Sequence, residues 1–422
     1  MLLYLFGTVV LLVCIYTVRH YCFTLSRLFG VQRHPYVDVD CADWPAVTVL
    51  IAAHNEQAVI ADILQALLQV DYPTEKLCIL PVNDRSTDRT REIIDEWVAR
   101  YPGRIHPFHR SGGKPGKAAA LKDAMELVNT EVVLVFDADY IPGKALIRQL
   151  VAPFFDPEIG SVMGRVVPMN VGKKFLTRLL DLERSGGYQV DQQARMNLHL
   201  VPQYGGTVAG IRKSALDEIG GWNENALAED TDLTYRLLLA GWKTVYENRA
   251  ECYEEVPERW PVRVRQIMRW AKGHNQAMVG YWKQVATKPG VGLLERVDGL
   301  LLLGVYAMGP VLMLGWLLAI VLFFTGAQLE SYVAILSLAA FSTLGNFAAF
   351  FEIAAATRLD GSRSRIRLLP LTFLGFAVSL VSVSHAAMRQ FVLDPFMGAE
   401  LVWHKTERSR TKAEPEPLGR AA

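Results

Sequence analysis

Gln266, Arg269 and Trp270 recur at i, i+3 and i+4. In a helix that spacing hangs an amide, a guanidinium and an indole on one stripe. A guanidinium beside an amide holds a diphosphate, and an indole offers a flat apolar platform to a sugar ring. A long apolar block begins at Gly299. The stripe therefore points to nucleotide-sugar chemistry at a membrane surface.

The carboxylates fall in short clusters. Asp137-Ala138-Asp139 follows an apolar run, so two oxygen donors emerge together. Such a pair suits a magnesium ion that also takes oxygens from a diphosphate. The competing reading is a solvated turn. In Asn83-Asp84-Arg85-Ser86-Thr87-Asp88, Asp84 can accept hydrogen bonds from a base or ribose. Ser86 or Thr87 reads as a helix cap, with Asp88 complementing the helix dipole. Glu56 reads either as a cap-region carboxylate or as a ligand contact. Glu229-Asp230 opens a helical pattern that stops at Gly241, and Asp232 suits its first turn. A carboxylate there is a weak base unless partly desolvated, yet it can take a proton from a sugar hydroxyl late in a transition state.

The elements that must position these groups alternate from Val47 onward. Strands are expected at Val47–Ala53, Leu77–Val82, Ile105–Phe108 and Glu131–Phe136, with helices at Gln57–Gln69, Thr87–Arg100 and Lys117–Val128. That is a Rossmann-like half, in which ligands sit beyond the carboxyl ends of the strands. His54-Asn55-Glu56, Asn83-Asp84 and Asp137-Ala138-Asp139 all fall there. Ser111-Gly112-Gly113-Lys114-Pro115-Gly116-Lys117 matches neither the dinucleotide fingerprint nor the P-loop, which lowers a dehydrogenase or NTPase reading.

Composition sets the setting. The 422 residues are 51% hydrophobic and 21% charged, so the charge must be concentrated in part of the chain. The apolar run Leu2–Val18, about 17 residues, is near the lower limit for a spanning helix. Arg19, His20, Arg27 and Arg33 follow it rather than precede it. This argues against a cleaved signal peptide and puts the next domain in the cytoplasm by the positive-inside rule. The five cysteines, Cys14, Cys22, Cys41, Cys78 and Cys252, include no CxxC pair, so neither a disulfide framework nor a zinc site is indicated. With 44 basic against 43 acidic residues, bulk electrostatic binding of nucleic acid is not expected.

Two mixed stretches, Lys173–Leu200 and Arg259–Trp282, read as basic amphipathic helices in the headgroup plane, or else as helices packed on their own domain. Three apolar blocks follow: Gly299–Thr325, Tyr332–Ala356 and Leu368–Ala387. Arg358, Arg363, Arg365 and Arg367 place the loop after the second on the cytoplasmic side. Three simple crossings would then leave the basic run Trp403–Arg410 outside, against the same rule. Pro310 interrupts the first block, and a re-entrant or interfacial piece would relieve the conflict. From Thr411 the Pro- and Glu-rich tail reads as disordered.

Taken in order, these motifs resemble the membrane-integrated family 2 glycosyltransferases of the GT-A fold. The processive β-glycan synthases (cellulose, hyaluronan, chitin and poly-N-acetylglucosamine synthases) are the branch they look most like. The resemblance covers roughly Pro45–Gly280 and the flanking membrane helices. It implies a mixed α/β GT-A sheet with flanking helices, a helical transmembrane region and amphipathic interface helices. The segments it implies are a transmembrane helix at 1–20, a cytoplasmic transferase domain at 45–255 and interface helices at 256–298. A transmembrane region at 299–393 and a basic, partly disordered end at 394–422 complete them.

The resemblance also assigns roles. Asn55 and Glu56 help hold the nucleotide, Asp84 contacts uracil, and Lys117 reaches the phosphates from Gly116-Lys117-Ala118-Ala119-Ala120-Leu121. Asp137 contacts the nucleotide and joins Asp139 as metal ligand for Mg²⁺ or Mn²⁺. The Thr-Glu-Asp motif appears as Ala228-Glu229-Asp230, with Asp230 as base. Gln266 and Arg269 close over the diphosphate and Trp270 lies under the acceptor. The acceptor motif Phe-Phe-Cys-Gly-Ser is replaced by Gln203-Tyr204-Gly205-Gly206-Thr207, so Tyr204, Gly205, Gly206 and Thr207 should meet the acceptor differently. Trp403-His404-Lys405-Thr406 resembles a basic element that closes over nucleotide.

The implied reaction is inverting transfer from a UDP-sugar, with one base and no second nucleophilic carboxylate. The implied product is a β-linked glycan passed through the protein's own helices in the plasma membrane, with accessory export subunits as possible partners. Transfer of one sugar to a lipid is the main alternative, and an inactive glycan-binding or export subunit is a second.

Overall fold

The computed structural model of the chain describes residues 1–35, 43–327, 329, 331–341, 343–361 and 363–394. The basic run Trp403–Arg410 and the tail lie outside the described residues. An N-terminal helix, α1 (Leu2–Phe29), leads to β1 (Val47–Ala53), α2 (Ile60–Leu68), β2 (Leu77–Asp84), α3 (Thr90–Arg100), β3 (Phe108–Arg110), α4 (Lys117–Ala124) and β4 (Val132–Asp137). Then come β5 (Ile141–Pro142), α5 (Leu146–Val151), β6 (Ile159–Pro168), α6 (Phe175–Ser185), α7 (Gln193–Asn197), β7 (Ala209–Arg212), α8 (Lys213–Glu218), α9 (Glu229–Ala240) and β8 (Lys243–Glu254). After β8 come α10 (Trp260–Thr287), α11 (Leu293–Leu303), α12 (Met308–Phe324), α13 (Ser331–Phe341), α14 (Thr343–Leu359) and α15 (Thr372–Met388).

Among the described residues, eight strands form one mixed sheet in the order β3-β2-β1-β4-β7-β6-β8-β5. The β3-β2-β1-β4 half is parallel, whereas β7 runs antiparallel to both β4 and β6. Val47, Val49, Leu50 and Ile51 of β1 and Val132 to Phe136 of β4 are buried without alternation, as expected of parallel strands covered on both faces. Register then does the positioning. Ala53 pairs with Asn83, and Ala52 with Asp137, so the polar residues at the ends of β1, β2 and β4 reach one edge together. The chain turns there through left-handed Asn55 (φ 55°) and Arg85 (φ 53°).

Among the described residues, three helices are long and apolar enough to cross a membrane: Leu2–Phe29, Val305–Phe324 and Ser364–Leu393. Helices α13 and α14 take up the Tyr332–Ala356 block, on either side of position 342. The Gly299–Thr325 block breaks between Leu303 and Met308, so Pro310 falls in the first turn of α12, where its missing N–H is tolerated. Phe6, Val9, Val10 and Val13 of α1 pack against Leu318 and Leu322 of α12 and Ala340 of α13.

Both amphipathic stretches keep apolar side chains exposed. Between α6 and α7 the helix widens to a π-helical stretch, Gly186–Gln192, that lies against α14. A Cβ at Gly186 would sit 3.2 Å from Ile353. Thr177, Asp181 and Gln189 are buried along with Leu176, Leu179, Leu180 and Leu182, whereas Phe175 and Leu198 of the same stretch are exposed. Val279 and Trp282 of α10 and Leu293 and Leu294 of α11 are also exposed.

Candidate active site

A cavity of about 660 Å³ opens at the carboxyl edge of the parallel strands and continues to the apolar helices. Glu56, Asp84, Lys117, Asp137, Asp139, Gly205, Thr207, Asp230, Gln266, Arg269 and Trp270, drawn from seven segments of sequence, all line it. Asn55, Tyr204 and Gly206 stand behind the wall. Asn55 Oδ1 accepts the Thr87 N–H at 2.7 Å and so ties the β1 turn to the β2 turn. Thr87 is therefore held in the loop, and α3 begins at Thr90, whose N–H donates to Asp88 Oδ1 at 3.0 Å.

Asp84 is held from several sides. Its Oδ1 accepts from Arg85 Nε at 2.9 Å and Arg110 Nη1 at 3.0 Å, and its Oδ2 from the Gly116 N–H at 3.2 Å. Burial pushes this carboxyl up, but these donors outweigh it and keep the group below its ordinary value.

Lys117 is the central cation of the strand edge. Its Nζ lies 2.7 Å from Asp137 Oδ1 and 3.4 Å from Glu229 Oε1, and it donates to the Gly206 carbonyl at 2.7 Å. Burial alone would lower its pKa. Asp137, Glu229 and Asp230 outweigh that and hold the ammonium above its ordinary range. One ammonium thus faces three carboxylates, which leaves local negative charge for a further cation. Asp139, only 3% exposed, lines the same cavity. Among the described residues no three His, Cys, Asp or Glu side chains converge into a metal cage. Two carboxylates with room for phosphate oxygens and water match the hard, six-coordinate demands of Mg²⁺ or Mn²⁺.

Asp230 sits in the first turn of α9. Its Oδ1 accepts the Thr231 N–H at 2.6 Å. Burial raises its pKa, and Thr231, Lys117 and Arg269 only partly offset this. Desolvation therefore wins over the helix terminus and makes the carboxylate a better base than an exposed one. Glu229 beside it is raised for the same first reason. Gly206, at φ 69°, passes so close that a Cβ would lie 3.1 Å from Asp230 Cβ.

On α10, Gln266 Oε1 accepts from Arg263 Nη1 at 2.9 Å. The Trp270 ring has the guanidiniums of Arg184 and Arg263 each 5.2 Å from its centroid. In the segment after α7 the partition differs from the sequence reading. Tyr204 is fully buried, with a hydroxyl that has no hydrogen-bond partner, while Gln203 reaches the cavity. His274 also lines the cavity and went unnoticed in the sequence, although it lies one turn beyond Trp270 on the same stripe. The far end is lined by Leu302 and Val305, by Ala349 and Ile353 of α14, and by Phe376 of α15.

A family model described as "Glycosyltransferase like family 2" matches residues 45–273. The "Probable glycosyltransferase YdaM" of Bacillus subtilis (strain 168) is 35% identical over 63% of this chain and 62% of its own length. A "Beta-monoglucosyldiacylglycerol synthase" of Synechocystis sp. is 33% identical over 62% of this chain and 54% of its own. The chain thus spans less than two thirds of these curated relatives. "Glucomannan 4-beta-mannosyltransferase 7" of Arabidopsis thaliana is 30% identical over 61% of this chain and 48% of its own. Among solved structures, "Mannosyltransferase PcManGT from Pyrobaculum calidifontis in complex with GDP-Man and Mn2+" shares the fold. It matches with a TM-score of 0.59 at 21% identity, over 85% of this chain and 97% of that one.

Proposed function

Since this chain belongs to the family 2 glycosyltransferases and is a sugar transferase of GT-A fold, we propose that it moves a hexosyl unit from a UDP-sugar to a membrane-resident lipid hydroxyl. The observation that carries this reading is the continuity of the cavity. Its lining takes in Asp137, Asp139 and Asp230 at one end and Leu302, Val305, Ile353 and Phe376 of the apolar helices at the other. A donor with a diphosphate fits the acidic end once a divalent cation is bound, and an acceptor with an acyl chain fits the apolar end.

Asp84 receives the base, and Glu56, with Asn55 behind it, supports the turn beneath the nucleotide. Asp137 and Asp139 hold Mg²⁺ or Mn²⁺, which supplies charge stabilisation to the departing diphosphate. Lys117, Gln266 and Arg269 hold the phosphates, and Arg269 offsets the charge that develops on UDP. Asp230 takes the acceptor proton as the hydroxyl attacks the anomeric carbon from the face opposite UDP, which inverts that centre. Gly205, Gly206 and Thr207 shape the acceptor side, with Tyr204 behind them and Trp270 as its platform. In this reading the catalytic part faces the cytoplasm and the apolar helices are embedded in the plasma membrane.

A second reading, stepwise extension of a β-linked polymer, draws on the polar side chains of Arg19, His20, Asp191 and Glu352 that also line the membrane end. Hydroxyl-rich glycan suits them better than an acyl chain does. This branch would add export subunits as partners.

Purified protein in mixed micelles with 1,2-dioleoylglycerol, and separately native membranes, are incubated with Mg²⁺ and a panel of UDP-sugars, with GDP-mannose as a further donor. A product carrying one sugar on lipid supports the first reading. A ladder or polymer supports the second. Absence of sugar transfer from every donor sinks both.

A further inference from the structure

His274 extends the α10 stripe one turn past Trp270, and its ring is buried in the cavity wall. Its Nε2 lies 3.1 Å from Thr231 Oγ1. Thr231 is joined to Asp230 twice: its N–H donates to Oδ1 at 2.6 Å, and its hydroxyl donates to the same oxygen at 3.3 Å. Gln203 Nε2 lies 3.2 Å from that hydroxyl and 3.4 Å from His274 Nε2, so the two nitrogens reach the oxygen side by side. The Gln203 backbone is itself clamped by the Gln192 amide through bonds of 2.9 and 3.0 Å.

The Thr231 hydroxyl therefore stands at a three-way junction, with one proton and two lone pairs to distribute. With Asp230 ionised, the hydroxyl proton goes to the carboxylate, because a charge-assisted bond is the stronger choice. The hydroxyl oxygen then accepts from His274 Nε2, the nearer of the two nitrogens at 3.1 Å, because a proton on the buried Nδ1 would be a stranded donor. In keeping with this, Nδ1 is buried and has no hydrogen-bond partner. Burial also pushes the imidazole down to about 4, so the ring is neutral at working pH. Tyr306 holds the ring from one side, with centroids 4.5 Å apart.

We propose that His274 is a positioning residue, which fixes the Thr231 hydroxyl and through it aims the Asp230 carboxylate at the acceptor hydroxyl. This rests on the reading of Asp230 as the base. Lys117, Arg269 and Glu229 also face that carboxylate, with Tyr188, Tyr204 and Tyr306 farther out. All of them remain unchanged in the variants below.

Side-chain reach separates a positioning role from a merely structural one. A glutamine carries its amide nitrogen about as far from the backbone as Nε2, whereas an asparagine reaches only as far as Nδ1. Full-length protein in membranes carrying its endogenous acceptor is assayed for UDP release with UDP-glucose, UDP-galactose and UDP-N-acetylglucosamine in parallel. His274→Asn and His274→Phe should lower kcat about tenfold, with donor KM within about twofold, because orientation rather than donor binding is lost. His274→Gln should restore most of the rate. Thr231→Val should match His274→Phe, and the double variant should be no slower than Thr231→Val alone. A thermal shift with UDP and Mg²⁺ confirms folding, and the Asn–Gln contrast stands even where Phe fails to fold.

Equal rates for Asn and Gln, a donor KM that moves with kcat, or multiplying effects of the Thr231 and His274 changes would each overturn the proposal. Undiminished turnover by Asp230→Asn would instead remove the base that His274 is said to aim. An inactive Asp230→Asn beside an unaffected His274→Asn sinks this inference alone.

Discussion

Gly273 on α10 lies directly against Ala228, the residue before Glu229 and Asp230. A Cβ at position 273 would come within 2.5 Å of Ala228 Cβ and 2.8 Å of its backbone nitrogen. The contact locks the Gln266–Arg269–Trp270 stripe to the turn that carries Asp230. It also gives a reason for alanine at 228, where the resemblance leads one to expect threonine: the side chain there already touches a helix.

Gly273→Ala should therefore cost both stability and chemistry. The clash involves backbone, which cannot rotate away, and overpacking of this kind costs about 1–3 kcal/mol. The stripe would shift relative to Asp230, so transfer should slow at least about tenfold. Gly280, on the same helix with nothing near its Cβ position, is the control. Gly280→Ala should raise stability by about 0.5–1 kcal/mol and leave the rate alone. Matching melting temperatures and rates for the two variants would refute the locking role.

Lys117 is the second test, because it stands where the charges of Asp137, Glu229 and Asp230 meet. Lys117→Met leaves the Asp137 and Glu229 carboxylates facing each other without a cation. The expected loss is about 1–3 kcal/mol, the scale for stranding buried polar partners. Added Mn²⁺ should then raise the melting temperature of the variant more than that of the parent, since a divalent ion takes over the missing charge. An equal Mn²⁺ response in both proteins would show that Lys117 and the metal do not share a site.

Asp230 carries a trade between stability and activity. Its folded pKa is raised, mainly by burial. Its contribution to stability is thus fully present below the unfolded value, about 3.9, and is lost as pH rises through the folded value. At pH 8 the ionised side chain is a net cost that asparagine removes. Asp230→Asn should melt higher than the parent at pH 8, with the difference shrinking toward pH 4, while transfer falls at least about a hundredfold. A lower melting temperature at pH 8 would mean that Lys117 and Arg269 outweigh burial after all.

How much of this was legible in the sequence depends on which forces act locally. The run Val47–Ala53 was readable residue for residue, because a β-branched apolar stretch between turns has few other fates. The start of α3 was not. Thr87 looks like a cap, but Asn55, thirty-two positions earlier in sequence, takes its N–H. Periodicity placed Gln266, Arg269 and Trp270 on one face yet stopped short of His274, because a buried histidine looks like any core residue until Thr231 is beside it. Tyr204 and Gln203 exchanged places because nothing in Gln203-Tyr204-Gly205-Gly206-Thr207 marks which of the first two side chains turns inward.

Trp270 offers the sharpest separation of donor from acceptor. Its ring is engaged by Arg184, which also binds Glu254 at 2.6 Å, and by Arg263, which also donates to Gln266. These cation–π contacts contribute about 0.5–2 kcal/mol each and hold the indole still, as a platform requires. Trp270→Phe keeps a quadrupole for both guanidiniums and should retain most activity. Trp270→Leu keeps the apolar bulk but loses the ring, so acceptor use should fall about tenfold or more while UDP affinity stays within about twofold. Arg269→Ala should do the reverse, weakening UDP binding first. Calorimetric titration with UDP, run beside transfer rates at saturating donor, reads both effects. If Trp270→Leu weakens UDP binding as strongly as Arg269→Ala does, the indole serves the donor, and the stripe has no acceptor end.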